Sequence, residues 1–386
     1  MSFGRDKRNV LVLSICQALF NSGRGLMFLA ATLVGANMLG ENLIFVTAPI
    51  TIMLVGTASG TLPAAHLMRL FGRKVGFVIG SVIGAGGCWI CYTSLPDNNF
   101  LLFNVGMFFY GIYSGFSQQY RFAVADAAPD NFKAKAISLV LAASVVGAVV
   151  GPETAKVTRN LFVDVEFAGS MLALIGLCLA TGLIVTFIDI PKLSREEYAD
   201  KGRPLLDIVA QPTFIVAFIA AAIGYVAMNI LMTATPLSMR LGSNFNFNDT
   251  ALVIEWHIIG MFAPGFFTGQ LITRFGHIKV IFAGGLLLLL AVATALNGIT
   301  LTHFWVAMFL VGAGWNFTFT GGTALLTGVY TPSERNKVQG IYDFTVFSFM
   351  ALSSLSSGAI FHFLGWKWVN LSALPMVAIL LTATLW

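Results

Sequence analysis

The sequence predicts an all-α membrane protein with twelve transmembrane helices in two pseudo-symmetric six-helix bundles. Of its 386 residues 57% are hydrophobic and only 10% are charged, whereas a soluble chain of this length needs a more polar surface. Apolar runs of about 20 residues or more, each long enough to cross a hydrocarbon core of about 30 Å, recur along the chain. The longest charged stretch, residues 191–207, separates six such runs from six others.

The twelve spans follow from hydropathy taken in order along the chain. They are predicted at 10–36, 43–68, 75–96, 100–127, 135–156, 167–190, 208–236, 250–272, 278–298, 303–329, 339–362 and 366–386. Residues 1–191 are therefore expected to form an N-terminal six-helix bundle and residues 208–386 a C-terminal one. The segment 192–207 is expected to be a cytoplasmic linker between them.

The basic residues predict the orientation, because Lys and Arg concentrate in cytoplasmic loops. With the N-terminus inside, 16 of the 22 Lys and Arg residues fall on the cytoplasmic side. Both termini are then cytoplasmic, in what we expect to be a bacterial inner membrane. The formal net charge of +5 reflects this bias and does not indicate nucleic-acid binding. The first apolar run is too long to be the core of a cleaved signal peptide.

The two halves repeat one another in sequence. MRLFGRKVGFVIG (68–80) and ITRFGHIKVIFAG (272–284) each place a glycine eight residues after the glycine of an LFG or RFG turn. PDNFKAKAI (129–137) and PSERNKVQG (332–340) each follow the fourth span of a half. Such parallel repeats form two bundles related by an axis along the membrane normal, with a binding site between them.

These features together resemble the major facilitator superfamily, over essentially the whole chain. The family usually has an acidic residue where Arg69 stands, and the arginine usual near the start of the fourth span is absent. GAVVGP (147–152) resembles the signature of the family's exporters without its trailing glycine pair. The resemblance implies that spans 1, 4, 7 and 10 line a central cavity. It also implies an inner latch, whose gating residues would be Arg69, Gly72, Arg73, Lys74 and Asp126.

Polar side chains form stripes on these four spans. On span 1 the stripe includes Ser14, and its spacing of three and four residues predicts one helical face. Buried polar groups need partners, so such stripes indicate a wetted face; the alternative is that they bond neighbouring helices together. The candidate substrate-binding residues are Gln17, Asn21, Arg24, Ser114, Gln118, Arg121, Tyr225, Asn229, Trp315, Asn316 and Thr320.

Arg24 and Arg121 are the most informative members of these stripes. A charge within a span is costly and should face a protein-lined cavity, meeting a counter-charge or an anionic ligand. The planar guanidinium fork also grips a carboxylate or phosphate through two hydrogen bonds. We therefore expect at least one of the two arginines to contact an anionic group of a substrate. The alternative for each is a structural ion pair.

Four residues are candidates for proton coupling: Glu153, Glu255, His257 and Asp343. Glu153 follows the GP of span 5, and a carboxylate near Arg24 could let a proton and an anion compete. Glu255 and His257 are predicted at the outer end of span 8, where a solvated vestibule is the alternative explanation. Asp343 lies near the start of span 11, where a carboxylate also suits a helix N-terminus.

The function predicted from these features is secondary active transport of a small, anionic organic solute, coupled to protons and working by alternating access. No nucleotide-binding, hydrolase or metalloprotease motif is present, so we expect no enzyme activity, no cofactor and no bound metal. The expected partners are a small-molecule substrate, protons and the lipid bilayer, with a monomeric chain and no nucleic acid. The alternatives are a proton-antiporting exporter of an uncharged lipophilic solute and a non-transporting sensor or assembly factor. An intramembrane enzyme and a metal-ion transporter are less favoured.

Overall fold

A computed structural model describes residues 3–39, 45, 48–162, 164–190 and 202–385 of the chain. Across these ranges the regular secondary structure is helical. The first half contains α1 (Phe3–Leu39), α2 (Ala48–Phe71), α3 (Arg73–Ser94), α4 (Phe100–Ser117), α5 (Tyr120–Ala127), α6 (Lys133–Ala142), α7 (Ser144–Thr158) and α8 (Ala168–Ile184). A single 3₁₀ turn, Val185–Phe187, follows α8.

The second half begins with the short helix α9 and ends with the longest helix of the chain. Its helices are α9 (Leu205–Val209), α10 (Pro212–Leu237), α11 (Phe247–Phe262), α12 (Gly265–Phe275), α13 (His277–Asn297), α14 (Leu301–Leu326) and α15 (Arg335–Leu385). A π-helical turn, Ser238–Gly242, follows α10. Helix α15 is interrupted at Gly365, where φ is 79°, so it contains two of the predicted spans.

Eleven helical stretches in the described ranges are long and apolar enough to cross a membrane. They correspond to eleven of the twelve predicted spans; Phe100–Ala127 against 100–127 is one example, and the largest difference is at the end of the first span, Lys7–Phe28 against 10–36. The predicted tenth span corresponds to α14, which has the length to cross but carries Trp315, Asn316 and several threonines and glycines. The predicted twelve-helix, all-α membrane fold is therefore confirmed.

Three of the predicted spans are broken within the membrane-crossing stretch. Span 4 divides into α4 and α5 at Gln118 and Gln119, span 5 into α6 and α7 at Ala143, and span 8 into α11 and α12 at Ala263 and Pro264. A break frees backbone carbonyls, which must find other donors when they are buried. At the first break Arg121 Nη1 donates to the carbonyl of Gln118 at 2.8 Å, so this arginine helps to satisfy the interrupted helix.

The chain forms two compact units. The first comprises Met1–Ala128, Ala143–Gly202 and Thr331–Ser348, and the second comprises Pro129–Ala142, Arg203–Tyr330 and Phe349–Trp386. Each unit thus combines most of one sequence half with a segment of the other. The exchanged segments, 129–142 and 331–348, occupy equivalent places in the two repeats. The predicted division into bundles at residues 191 and 208 stays a prediction.

Glycines bring helices of the first unit into backbone contact. Gly56 and Gly60 of α2 face Gly111 and Gly115 of α4, and a Cβ at any of the four would overlap backbone atoms of the opposite helix. Likewise Gly147 and Gly151 of α7 lie against the backbone of α1. Small residues of this kind allow close helix packing where water cannot drive association.

The repeated turn has the same geometry in both halves. Gly72 has φ 88° and ψ 163°, and Gly276 has φ 88° and ψ 161°. A side chain rarely tolerates this conformation, so glycine is required at both turns. Each turn directly precedes a helix, α3 or α13. The structure therefore confirms in geometry the repeat that the sequence predicts at these two positions.

Candidate functional site

Arg121 is the most deeply buried charged residue of the predicted fourth span. It lies at the start of α5 and is 1% exposed. Its Nη2 forms an ion pair with Asp343 Oδ1, and its Nη1 contacts Gln118 Oε1 at 3.1 Å. The guanidinium carbon also lies 4.6 Å from the centre of the Phe122 ring. The cation is thus held by a counter-charge, an amide and an aromatic face, all within the first unit.

Asp343 receives hydrogen bonds at both carboxylate oxygens. It belongs to the Thr331–Ser348 segment of the first unit and is fully buried. Arg121 donates to Oδ1, and Gln119 Nε2 donates to Oδ2 at 3.0 Å. A buried carboxylate is stable only with such partners. Asp343 lies more than two turns inside α15, which begins at Arg335 and has no acidic residue in its first turn, so the predicted placement at a helix N-terminus is wrong. The carboxylate is held by tertiary contacts instead.

A second ion pair joins the loop after α2 to the end of α5. Arg73 Nη2 lies 2.7 Å from Asp126 Oδ2, so two of the residues assigned to the inner latch form an ion pair. Arg73 also donates to Gln119 Oε1 at 2.9 Å and to Gln339 Oε1. Arg335 Nη1 reaches the same Asp126 oxygen at 3.6 Å. Gln119 therefore bridges the two ion pairs through its amide.

These groups form one buried charge cluster, defined by Arg73, Gln119, Arg121, Asp126, Arg335, Gln339 and Asp343. Its charged members are three arginines and two aspartates. The other predicted gating residues lie around it: Lys74 is exposed, Arg69 is half-buried, and Gly72 supplies the turn before Arg73. Their gating role stays a prediction.

Arg24 differs from Arg121 in having no charged partner in the described part of the chain. It is half-buried on α1, and its guanidinium carbon lies 5.5 Å from the centre of the Phe28 ring. No hydrogen bond or ion pair to another described residue is formed. Beside it, a Cβ added at Gly23 would lie 3.1 Å from the Tyr110 hydroxyl, which is buried without a partner. This corner of the first unit therefore has unused hydrogen-bonding capacity.

The neighbouring residues of the span 1 stripe bond to another helix. Gln17 Nε2 and Asn21 Nδ2 both donate to Ser144 Oγ, at 3.0 and 2.8 Å. Ser144 begins α7, so these bonds join α1 to α7. Ser114 is buried on α4, and its carbonyl accepts the backbone N–H of Gln118 at the break.

The predicted proton-coupling residues lie in contrasting surroundings. Glu153 is exposed and pairs with Lys156 at 2.6 Å, and Glu255 is also exposed. His257 is fully buried, with Nδ1 2.8 Å from the carbonyl of Met308, while its Nε2 has no partner. Because a carbonyl only accepts, the proton of neutral His257 resides on Nδ1. Of the three candidate carboxylates, Glu153, Glu255 and Asp343, only Asp343 is buried.

The second unit gathers the candidates of spans 7 and 10. Tyr225 of α10 packs edge-on against Trp315 and Phe319 of α14, with ring centres 5.2 and 5.0 Å apart. Trp315 and Phe319 stack at 5.0 Å, and Phe262 of α11 packs edge-on against Trp315. We call these four rings the aromatic cluster. Trp315 Nε1 and the hydroxyl of Thr320 are buried without partners.

The two predicted asparagines of this unit hold helices together. Asn229 donates to Ser353 Oγ at 3.0 Å. Asn316 donates to the carbonyl of Met261 at 2.6 Å and accepts from Thr268 Oγ1 at 2.7 Å. Their amides already have partners, which leaves Trp315 and Thr320 as the predicted residues with unused polar atoms.

Sequence reasoning missed several residues that complete these arrangements. These residues are Gln119, which lies off the predicted stripe of span 4, Arg335, which lies in the predicted loop before span 11, and Gln339, which begins that span. Tyr110 gave no signal because a tyrosine in an apolar span suggests packing. The repeat pairs PDNFKAKAI with PSERNKVQG, and the second of these segments carries both Arg335 and Gln339. That pairing was the signal in the sequence that could have identified them.

The described structure defines a polytopic helical membrane protein with buried charges and polar groups on internally repeated spans, the class to which secondary transporters belong. The sequence profile of the Major Facilitator Superfamily matches residues 13–263 and 217–386, and the chain belongs to this family. It is therefore a transporter and not an enzyme. The predicted family membership is confirmed.

Among its relatives is the riboflavin transporter RfnT of Brucella anthropi, which is 39% identical over 377 residues, covering 97% of this chain and 94% of that protein. The uncharacterized transporter YdeG of Bacillus subtilis is 28% identical over 92% of this chain and 85% of its own length. Among solved structures, FucP in the outward conformation has a TM-score of 0.79 at 14% identity, covering 97% of each chain. Human MFSD10 gives 0.77, also at 14% identity, covering 98% of this chain and 99% of its own. These likenesses support a secondary transporter of a small solute in a membrane.

Proposed function

We propose that this protein transports riboflavin or a closely related flavin. The observation that carries the proposal is the 39% identity to a riboflavin transporter over nearly the full length of both chains. A flavin is a planar ring system with carbonyl acceptors, an imide N–H and a polyhydroxyl chain. Its recognition therefore requires aromatic faces and hydrogen-bond donors, and both kinds of group are buried in this protein.

Arg24 is the residue of the first unit that we assign to substrate binding. It is half-buried and has no charged partner in the described ranges, and a guanidinium offers five N–H donors. The adjacent Tyr110 hydroxyl is also unpartnered. These donors suit ring carbonyls or the hydroxyl chain of riboflavin. An anionic solute, such as a phosphorylated flavin, is the second candidate, because a guanidinium binds an anion more strongly than a neutral acceptor.

The buried charge cluster is the inner gate in this proposal. The Arg73–Asp126 and Arg121–Asp343 ion pairs connect segments that are distant in sequence, and separating them would open one side of the pathway. Alternating access requires such contacts to form in one state and break in the other. The carboxylate that takes up the coupled proton is then Asp343, because a proton there removes the charge that holds Arg121.

The test begins with riboflavin uptake in riboflavin-auxotrophic bacteria and in proteoliposomes. Wild-type protein should accumulate labelled riboflavin, and a pH gradient should drive the accumulation. Competition by riboflavin 5′-phosphate separates the two candidates: a stronger effect than that of unlabelled riboflavin would favour the anionic solute. No uptake of either compound would refute the flavin proposal.

Arg24 is tested in the same assay. Arg24→Ala should weaken apparent affinity more than tenfold, because the loss of a charged donor that the substrate covers costs about 2–5 kcal/mol; Arg24→Lys should be impaired as well, because it loses the planar fork. Arg159→Ala is the matched control, since Arg159 is exposed and pairs with Glu166. Wild-type affinity in both Arg24 variants would exclude the residue from the site.

Export of an uncharged lipophilic solute remains the second functional class, favoured by the GAVVGP segment. Its close helix contacts at Gly147 and Gly151 are also explained by packing alone. Reduced rather than increased flavin content in cells that express the protein would favour export. We further propose that the protein is a monomer in a bacterial inner membrane and that both termini lie in the cytoplasm. Protease accessibility of terminal tags tests the placement of the termini.

A further inference from the structure

Gln119 lies between a side chain that can only donate hydrogen bonds and one that, when ionised, can only accept them. It is fully buried at the break between α4 and α5. Its Oε1 accepts from Arg73 Nη1 at 2.9 Å, and its Nε2 donates to Asp343 Oδ2 at 3.0 Å. A guanidinium has no acceptor and a carboxylate has no donor. The direction of the amide is therefore fixed by its two partners as long as Asp343 is ionised.

A proton on Asp343 reverses what is required at one end of this amide. The carboxylate oxygen Oδ1 is paired with Arg121 Nη2, so Oδ2, the oxygen that faces Gln119, is the one left to take up the proton. Protonated Oδ2 carries an O–H that needs an acceptor. Gln119 supplies that acceptor by turning its amide over, which places Oε1 toward Asp343 and the NH₂ group toward Arg73.

The turned amide leaves Arg73 facing a donor instead of an acceptor. Arg73 Nη1 then keeps its contact with Met68 Sδ at 3.5 Å, and a thioether sulfur is a weak acceptor. A buried guanidinium that loses a hydrogen-bond acceptor is destabilised. The same guanidinium pairs through Nη2 with Asp126 at 2.7 Å. The cost of turning the amide therefore falls on the Arg73–Asp126 ion pair.

Several elements of the first unit bring ionisable groups toward Asp343. These groups are Arg121 and Asp126 of α5, Arg73 of α3, Arg335 and Lys337 of α15, and His66 and Arg69 of α2. Among them, Arg121 contacts the carboxylate directly and Arg73 contacts it through Gln119. A proton on Asp343 therefore acts on the charge cluster by two routes, and the second of them depends on one amide.

We propose that Gln119 is a positioning residue that transmits the protonation state of Asp343 to the Arg73–Asp126 ion pair. The proposal rests on the proposed function, in which Asp343 takes up the coupled proton and the charge cluster is the inner gate. Ionised Asp343 holds the amide in the direction that supports Arg73, and the ion pair stays closed. Protonated Asp343 turns the amide over and weakens the ion pair. One proton thereby loosens both ion pairs of the cluster.

The experiment follows maleimide labelling of a cysteine placed on the pathway behind the gate, in protein reconstituted in nanodiscs over a series of pH values. The native cysteines are buried, and protein without the added cysteine gives the background. Each rate is divided by the rate for glutathione at the same pH, because the thiolate is the reacting species. In the wild type the corrected rate should rise about tenfold or more as the pH falls, the effect of losing a hydrogen bond to a charged group.

Two variants of Gln119 separate the switch from a structural role, because they should act in opposite directions. Gln119→Met keeps the shape but offers Arg73 no amide oxygen, so labelling should be high at every pH. Gln119→Glu offers Arg73 a carboxyl oxygen whichever of the two acids holds the proton, so labelling should stay low at every pH. Gln118→Met is the matched control, because Gln118 Oε1 accepts from Arg121 at 3.1 Å and does not connect the two ion pairs. It should keep the rise in labelling as the pH falls.

A pH-dependent rise that persists in both Gln119 variants would overturn the inference while leaving Asp343 as the coupling carboxylate. If Gln119→Met does not fold, as judged by thermal unfolding in detergent, the pH dependence of Gln119→Glu decides alone. Wild-type labelling that does not change with pH would refute the gating and coupling roles of the cluster, and the inference with them. Because no substrate is added, none of these results depends on whether the solute is a flavin.

Discussion

Removing either member of the Arg121–Asp343 ion pair should destabilise the fold, whereas replacing both members together should cost much less. Asp343→Asn keeps the shape of the side chain but leaves Arg121, which is 1% exposed, without its counter-charge. Removing one member of a buried pair costs about 3–5 kcal/mol. Arg121→Met should cost a similar amount, because Asp343 would keep only the amide of Gln119.

The double variant, Arg121→Met with Asp343→Leu, should recover most of that loss. A buried ion pair replaced by well-packed apolar groups is often neutral or stabilising, because both desolvation costs disappear. The free energy of unfolding in detergent, measured by denaturant titration, gives the coupling in a double-mutant cycle. We expect a coupling energy of about 3 kcal/mol or more.

The Glu153–Lys156 pair is the matched control for this cycle. Its side chains are 58% and 68% exposed, and an exposed pair contributes about 0–1 kcal/mol. Single variants at Arg121 and Asp343 that each cost less than about 1 kcal/mol and combine additively would refute the reasoning, since they would behave like this surface pair.

Three further predictions concern the gate, the packing and the coupled proton. Asp126→Asn removes the charge partner of Arg73 and should increase maleimide labelling of a cysteine placed on the pathway behind the gate; unchanged labelling would contradict a gating role. Gly111→Ala should cost about 1–3 kcal/mol through overlap with the backbone of α2, whereas Gly86→Ala, whose Cβ meets nothing within 4 Å, should not destabilise the fold. Glu153→Gln should retain pH-driven accumulation, because the Glu153 side chain is exposed. Loss of that accumulation would indicate that Glu153 carries the coupled proton.

The spans were predictable because hydrophobicity acts along the chain. Each helix must be long and apolar enough to cross the bilayer, and this requirement is visible in any window of about 20 residues. The predicted third span, 75–96, corresponds to Arg73–Ser94. The repeated glycine turn was equally visible, since only glycine adopts its backbone conformation easily at Gly72 and Gly276.

The partners within the site were less predictable because they depend on tertiary contacts. The sequence indicated that Arg121 needs a counter-charge, but Asp343 is 222 residues away. Gln119 falls outside the polar stripe that a continuous helix would form through Gln118 and Arg121, yet in the broken helix its amide bonds Asp343. Similarly, the polar stripe of span 1 did not reveal that Gln17 and Asn21 share one serine on α7.

The glycine contacts between α2 and α4 restrict which parts of the first unit can move independently. Helices in backbone contact cannot slide or rotate past one another without opening a gap that no side chain fills. Helix α2 leads directly into the turn that carries Arg73, and α4 leads into α5, which carries Asp126. The spacing of that ion pair is therefore set by small residues about three to five helical turns away. Selection for the latch should act on Gly60 and Gly115 as strictly as on the two charges themselves.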